Sequence, residues 1–151
     1  MKVIYGNLMD YADKGIIAHQ VNCMGVMGSG VAKCVRNRFP KAYNCYISLC
    51  RCANDSWELL GTCHVVNCSN CKVANLFAQH GYGYVGVHTN YTALESSFSK
   101  LCEYARTHNN TIYIPYKMSC DRGGGDWTKV SNMLDSISMH YGVELIAVKL
   151  N

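Results

Sequence analysis

The glycine-rich run at residues 22–32, NCMGVMGSGVA, is the segment best suited to binding an anion. An apolar strand pattern ends just before it, and a helical pattern begins directly after Gly30. Glycines let the backbone approach an anion closely, and the unpaired N–H groups at a helix N-terminus favour negative charge. The run therefore predicts a phosphate-binding loop, although Gly28 and Gly30 would also suit a tight connection.

A second strand-to-glycine-to-helix turn strengthens this interpretation. The strand pattern at 111–116 leads through Gly123, Gly124 and Gly125 into a helix that begins at Trp127. If the two strands are parallel and close together, both loops lie at the sheet edge where open α/β sheets bind ligands. Two such loops facing one crevice would suit a diphosphate.

A third loop, at residues 79–86, combines glycines with Tyr82 and Tyr84. Either ring would be able to lie over a base or a ribose. A surface loop with incidental tyrosines explains the same residues equally well. Because the chain lacks GxxxxGK[ST] and its glycine spacing departs from GxGxxG, neither a P-loop NTPase nor a Rossmann dehydrogenase is expected.

The elements that must position these loops follow from hydrophobic periodicity. Strands are expected at 2–5, 16–21, 62–67, 73–78, 111–116 and 144–150, and helices at 31–39, 41–52, 91–105 and 127–141. Asn90 is a candidate N-cap for the third helix, and Gly142 follows the last one. This order predicts an α/β fold with a mixed, mostly parallel sheet covered by helices on both faces.

The composition predicts one compact domain over residues 1–151. Apolar residues make up 49% of the chain and charged residues 16%, enough for a substantial core. No run reaches transmembrane length and no secretory signal is visible, so we expect a cytoplasmic protein without a membrane partner. A formal net charge of +4 mildly favours an anionic ligand, and nucleic acid is not expected. The densest basic cluster, Lys33, Arg36, Arg38 and Lys41, is expected to be a solvated helix face in preference to a phosphate-binding surface.

Ten cysteines leave a metal site to be weighed. The closely spaced Cys50 and Cys52, and Cys68 and Cys71, together with His64, would in principle supply zinc ligands. Only one CxxC is present, whereas a zinc ribbon needs two, so we expect reduced thiols and no metal. Four of the thiols are expected to be small buried hydrophobes, namely Cys34, Cys63, Cys68 and Cys102.

These motifs, in this order and spacing, resemble the macrodomain family over nearly the whole chain. The similarity is to the branch of ADP-ribose 1″-phosphate phosphatase-like and terminal ADP-ribose protein glycohydrolase-like proteins. The matching stretches are 5–8 (YGNL), 18–25 (AHQVNCMG) through 30–32 (GVA), 75–77 (NLF), and 114–115 (IP) through 125–127 (GDW).

The resemblance implies a three-layer α/β/α fold with a central sheet of about six strands. It places adenine near Asn7 and Leu8, the diphosphate between 28–31 and 123–125, and the distal ribose near Asn22. The predicted ligand-binding residues are Asn7, Leu8, Gln20, Asn22, Met27, Gly28, Ser29, Gly30, Val31, Ser119, Cys120, Gly123, Gly124 and Gly125.

The candidate catalytic residues are His19, Asn22 and Asp126. His19 and Asn22 resemble the His-x-x-Asn pattern of the yeast-type phosphatase, in which a histidine suits general acid or base chemistry. A hydrogen-bonded structural histidine is the alternative for His19, and helix capping is the alternative for Asp126.

The chain also departs from the family. Asn7 stands where many members carry an aspartate, and Ala32 stands where one glycohydrolase class needs a carboxylate. The lysine and aspartate of another glycohydrolase class align near Gln79 and Gly123, so a covalent amine mechanism lacks its parts.

The resemblance implies binding of ADP-ribose or ADP-ribose 1″-phosphate and, as the leading activity, removal of the 1″-phosphate. A non-catalytic binding module and the removal of ADP-ribose from modified carboxylates remain alternatives. An ADP-ribosylated protein is a further candidate partner. No cofactor is expected, and a monomer is favoured.

Overall fold

The computed structural model describes residues 1–83 and 86–151. Six strands form one sheet in the order β1-β6-β5-β2-β4-β3. The strands are β1 (Lys2–Tyr5), β2 (Ile16–Val21), β3 (Cys63–Cys68), β4 (Cys71–Phe77), β5 (Ile112–Pro115) and β6 (Leu145–Lys149). All neighbouring pairs are parallel except β3 with β4, which form an antiparallel hairpin. The predicted mixed, mostly parallel sheet is therefore confirmed.

Four helices cover the two faces of this sheet. They are α1 (Gly30–Arg38), α2 (Pro40–Cys52), α3 (Tyr91–His108) and α4 (Trp127–Tyr141). Helices α3 and α4 pack with Ile16 and Ala18 in one buried cluster, whereas α1 and α2 pack with Ile17 and Val73 in another. The result is the predicted three-layer α/β/α arrangement.

Side chains alternate between the two faces along β2. Ile16 and Ala18 face α3 and α4, and Ile17 faces α1 and α2. Continued alternation places His19 on the α1/α2 face and Gln20 on the α3/α4 face. At the carboxyl end of β2, the polar side chains of His19 and Gln20 therefore lie on opposite faces of the sheet.

The helix boundaries follow the capping signals in the sequence. Asn90 caps α3 by accepting a hydrogen bond from the backbone N–H of Ala93, and Gly142 ends α4 at a φ of 67°. Asp126 accepts hydrogen bonds from Thr128 N and Lys129 N, so it caps α4 as the sequence alternative suggested.

The cysteine interpretation needs one correction. Cys102 is buried and Cys63 and Cys68 are partly buried, but Cys34 is exposed because it lies on the solvent side of α1. All ten thiols are free, and no cluster of three metal-ligating side chains occurs within residues 1–83 and 86–151.

The basic residues of α1 and α2 are exposed, as expected for a solvated face. None of the helices in the described ranges is both long and apolar enough to cross a membrane.

Candidate functional site

A cavity of about 400 Å³ lies at the carboxyl ends of the central strands β2 and β5. Three loops and the start of α1 surround it. The lining residues are His19, Gln20, Val21, Asn22, Val26, Gly28, Ser29, Gly30, Val31, Ala32, Gln79, Tyr82, Gly83, Pro115, Tyr116, Lys117, Met118, Ser119, Asp121, Arg122 and Gly123. The two predicted glycine loops therefore face the same cavity.

The first wall is the N-terminus of α1, which presents unpaired backbone N–H groups. Ser29 is the N-cap residue, yet its side chain makes no capping hydrogen bond, and the first turn contains no acidic residue. The helix begins at Gly30 with a φ of 59°, and a Cβ there would meet nothing within 4 Å. An anion in the cavity would find uncapped amides and the positive end of the helix dipole.

The opposite wall is the loop between β5 and α4. Lys117 and Ser119 line the cavity in the left-handed region, at φ of 59° and 72°. This conformation costs a non-glycine residue about 1–2 kcal/mol, and such residues cluster at functional sites. Unlike α1, helix α4 already has its N-terminus capped by Asp126. The two walls are therefore not equivalent as anion cradles.

A hydrogen-bond network joins the three loops behind this wall. Gln20 Nε2 donates to Gln79 Oε1 at 2.7 Å and to Thr89 Oγ1 at 2.9 Å. Ser119 Oγ donates to Gln20 Oε1 at 2.6 Å, and Thr89 Oγ1 donates to Ser119 O at 2.8 Å. Gln20 thus connects the loops that follow β2, β4 and β5.

Gly123 occupies a position where a side chain does not fit. A Cβ there would lie 2.4 Å from Thr89 Oγ1, 2.7 Å from Ser119 O and 2.8 Å from Gln20 Nε2. Its carbonyl accepts hydrogen bonds from His88 N and Thr89 N. The glycine is required for close packing against the network.

Asn22 organises the loop that leads into α1. Its Nδ2 donates to Val26 O at 2.8 Å, and its Oδ1 accepts from Met24 N at 2.9 Å. The fully buried Tyr46 hydroxyl lies 2.7 Å from Asn22 Oδ1 and accepts from Gly25 N and Val26 N. Asn22 is only 7% exposed and lines the cavity, so its amide has a structural role whatever it contacts in a ligand.

His19 is buried at the cavity and bonded through one ring nitrogen. Its Nε2 lies 2.7 Å from Oδ1 of Asn75, which sits opposite it on β4. Asn75 Nδ2 lies 3.5 Å from Ala42 O, an orientation that leaves Oδ1 to accept from the histidine. The proton is therefore assigned to Nε2, and Nδ1 keeps its lone pair, buried and without a partner. Burial lowers the pKa of His19 from 6.5 to about 4, an effect the Asn75 hydrogen bond partly opposes.

This pKa predicts a measurable dependence of stability on pH. Because the unfolded chain binds the His19 proton more tightly than the native protein, stability falls as pH drops from 6.5 towards 4. A shift of this size corresponds to about 3 kcal/mol. Urea unfolding of His19→Gln at several pH values should show that much less loss across the window. His64→Gln is the comparison: because burial also lowers the His64 pKa, this variant should change the pH dependence in the same direction. An unchanged pH profile for His19→Gln would contradict the assignment.

The cavity gathers some of the predicted site residues and not others. His19, Gln20, Asn22, Ser119 and Gly123 line it, together with 28–31. The predicted residues that do not line it are Asn7, Leu8, Met27, Cys120, Gly124, Gly125 and Asp126. Asn7 caps a short 3₁₀ helix at Leu8–Tyr11, Leu8 and Met27 are buried in the core, and Gly125 N donates to Ser119 O.

Sequence reasoning missed several residues that build the site. Thr89 and Tyr46 do not line the cavity but hydrogen-bond to Gln20 and Asn22, which do. No local sequence pattern indicates these contacts. Tyr116 and Lys117 line the cavity directly after β5, so the rule that ligands bind beyond strand carboxyl ends would have found them. Of the two predicted stacking rings, Tyr82 lines the cavity and is 56% exposed, while Tyr84 lies outside the described residues.

The sequence is similar to a known protein family and to individual proteins. The Macro domain family model matches residues 18–134. An ADP-ribose 1″-phosphate phosphatase from Aspergillus oryzae is 40% identical over 62 residues, which is 41% of this chain and 31% of that protein. The chain spans less than half the length of the curated relatives it matches.

Two solved structures show the same fold at low identity. The macrodomain of Mycobacterium tuberculosis DarG superposes with a TM-score of 0.79 at 21% identity, covering 97% of this chain and 96% of that one. Thermosipho africanus DarTG, solved in complex with ADP-ribose, gives a TM-score of 0.75 at 16% identity over 100% of this chain and 42% of its own.

Proposed function

This chain belongs to the Macro domain family, and we propose that it binds ADP-ribose in the cavity and removes the phosphate from ADP-ribose 1″-phosphate. The observation that carries the proposal is the pairing of two features at one cavity. The uncapped N-terminus of α1 suits a phosphate, and His19, whose Nδ1 is a hydrogen-bond acceptor without a partner, lines the same cavity.

The relatives and neighbours support the ligand class. Curated relatives from several fungi carry the name ADP-ribose 1″-phosphate phosphatase. Two structural neighbours, from Thermosipho africanus and Trypanosoma brucei, were solved in complex with ADP-ribose. The ligand proposed here would place its diphosphate against 28–31 and its distal ribose near Asn22.

The proposed placement gives the ligand a direction across the sheet. A distal ribose near Asn22 would lie beyond β2, and adenine near Asn7 would lie beyond β1. Because β5 and β6 lie between these strands, the adenosine half would cross the ends of β5 and β6. Asn7 and Leu8 do not line the cavity, so adenine would lie at its open end.

His19 is the proposed catalytic residue. At neutral pH its ring is uncharged, since the pKa is about 4, and Nδ1 accepts a hydrogen bond from the attacking water. The water oxygen bonds to phosphorus as the bond from phosphorus to the 1″ oxygen breaks, and the water proton passes to Nδ1. The leaving oxygen takes a proton from the imidazolium or from solvent. A phosphate dianion beside the ring raises the pKa of His19 and so favours this transfer.

Asp126 fits the reaction less well than His19. Its carboxylate accepts the hydrogen bonds that cap α4, and it does not line the cavity. Proton transfer is therefore assigned to His19, and Asp126 acts as a helix cap.

A non-catalytic binding module is the second candidate. Ala32 and Gly123 stand where glycohydrolase carboxylates would align, and the His19 ring is hydrogen-bonded as a structural histidine would be. Calorimetric titration with ADP-ribose and phosphate release from ADP-ribose 1″-phosphate separate the candidates. Saturable binding with turnover supports the phosphatase, and binding without turnover favours the module. Release of ADP-ribose from a glutamate-modified protein would instead identify an enzyme that removes ADP-ribose from carboxylates.

A further inference from the structure

Two tyrosines and two lysines lie along the carboxyl ends of β1, β6 and β5. Tyr5 pairs with Lys149 in the register of β1 and β6, and Tyr116 N donates to Val148 O just beyond β5. The Lys149 Nζ lies 4.8 Å from the Tyr116 ring centroid and 6.0 Å from the Tyr5 centroid. Lys117 adds a second ammonium group, 5.8 Å from the Tyr116 centroid. We call these four residues the basic edge.

The basic edge continues the cavity towards β1. Tyr116 and Lys117 line the cavity itself, while Tyr5 is 63% exposed and Lys149 is exposed. Tyr116 is held against α4 by an edge contact with Trp127, at 5.4 Å between ring centroids. The edge therefore combines the partly buried ring of Tyr116 with the exposed ammonium groups of Lys117 and Lys149.

Carboxylates lie near the basic edge, since Asp121 lines the same cavity as Lys117, but no ion pair joins them to its lysines within residues 1–83 and 86–151. Among the described residues the ion pairs join the N-terminus to Asp135 and Arg38 to Asp10, so neither lysine of the edge forms one. The nearby Asp126 is engaged in capping α4, and Asp121 is exposed on the same loop. Two lysines without an acidic partner beside a nucleotide-sized cavity suit an additional phosphate.

We propose that the basic edge binds a phosphate monoester on the adenosine ribose, so that the preferred ligands are ADP-ribose derivatives phosphorylated at that sugar. The inference rests on the proposed function, because the direction of the ligand places the adenosine ribose over the ends of β5 and β6. Lys117 and Lys149 stand at those two strand ends. The lysines contribute point charges, and their ammonium groups lie over the tyrosine rings.

The test compares three ligands by calorimetry at low and moderate salt: ADP-ribose, its adenosine 2′-phosphate and its adenosine 3′-phosphate. The wild type should bind one phosphorylated form about fivefold more tightly than ADP-ribose at low salt, and salt should reduce that ratio. The double variant Lys117→Gln/Lys149→Gln should bring the ratio to about one. Lys72→Gln is the matched control, because Lys72 also lies over a tyrosine, Tyr104, but stands near the amino end of β4, so it should leave the ratio unchanged.

The outcomes separate this inference from the function on which it rests. ADP-ribose binding without preference in the wild type overturns the basic edge and leaves the proposed function standing. A preference that survives in the double variant also overturns the edge. Failure of all three ligands to bind overturns the proposed function and the edge together.

Discussion

Replacing His19 with alanine should lower the rate of phosphate release from ADP-ribose 1″-phosphate by about 10²- to 10⁴-fold. The substitution removes the only buried ring nitrogen lacking a hydrogen-bond partner among the described residues that line the cavity. Since His19 is assigned to the water and not to the diphosphate, the loss should appear mainly in kcat. Steady-state phosphate release with a parallel titration of ADP-ribose measures both quantities.

His64 supplies the matched control for this experiment. It faces Asn75 from β3, as His19 does from β2, but it does not line the cavity. His64→Ala should therefore keep nearly full activity. Asn75→Ala should lower kcat and alter the pH profile, because Asn75 fixes the tautomer and orientation of His19. Full activity in His19→Ala would contradict the proposed catalytic role.

Substituting Gly123 with alanine should damage both folding and binding. The added Cβ would overlap Thr89 Oγ1, a backbone oxygen of Ser119 and Gln20 Nε2. Overpacking together with a broken hydrogen bond predicts a loss of about 3 kcal/mol in the free energy of unfolding. Because the same contacts hold the second wall of the cavity, we expect ADP-ribose affinity to fall by at least about tenfold, roughly 1.4 kcal/mol. Denaturant unfolding and calorimetry measure the two effects.

Alanine substitutions at two other glycines distinguish an effect on folding stability from an effect on ligand affinity. Gly81→Ala adds a Cβ that meets nothing within 4 Å and should be nearly neutral. Gly15→Ala would place its Cβ 2.3 Å from Thr111 O, away from the cavity, and should reduce stability while the folded fraction keeps its affinity. Wild-type stability and affinity in Gly123→Ala would show that this wall is not as tightly packed as described.

Periodicity was sufficient to predict the elements of the fold. The alternation along β2 and the apolar stripes of α3 and α4 are strong local signals, because each reports one buried face. Asn90 and Gly142 likewise act within their own turn of helix. Parallel strands have their carboxyl ends at the same edge of a sheet. The assumption that the strands are parallel is therefore enough to predict that both glycine loops lie at one cavity.

The contacts that build the site depend on residues far apart in the chain. Ser119 reaches Gln20 across 99 positions, and Tyr46 meets Asn22 across 24. No local pattern specifies such pairs. The two strand-to-glycine-to-helix turns predict two equivalent phosphate-binding loops, whereas Asp126 caps α4 and leaves α1 as the uncapped helix N-terminus at the cavity.

The most direct test of the account is a titration of the isotope-labelled protein with ADP-ribose, followed by amide chemical shifts in nuclear magnetic resonance. If the ligand lies between α1 and the β5 to α4 loop, the amides of Gly28, Gly30, Val31 and Gly123 should shift together and saturate with one affinity. Shifts confined to the shallow surface around Arg38, Lys41 and Ser69, or no saturable shift in either glycine loop, would contradict it.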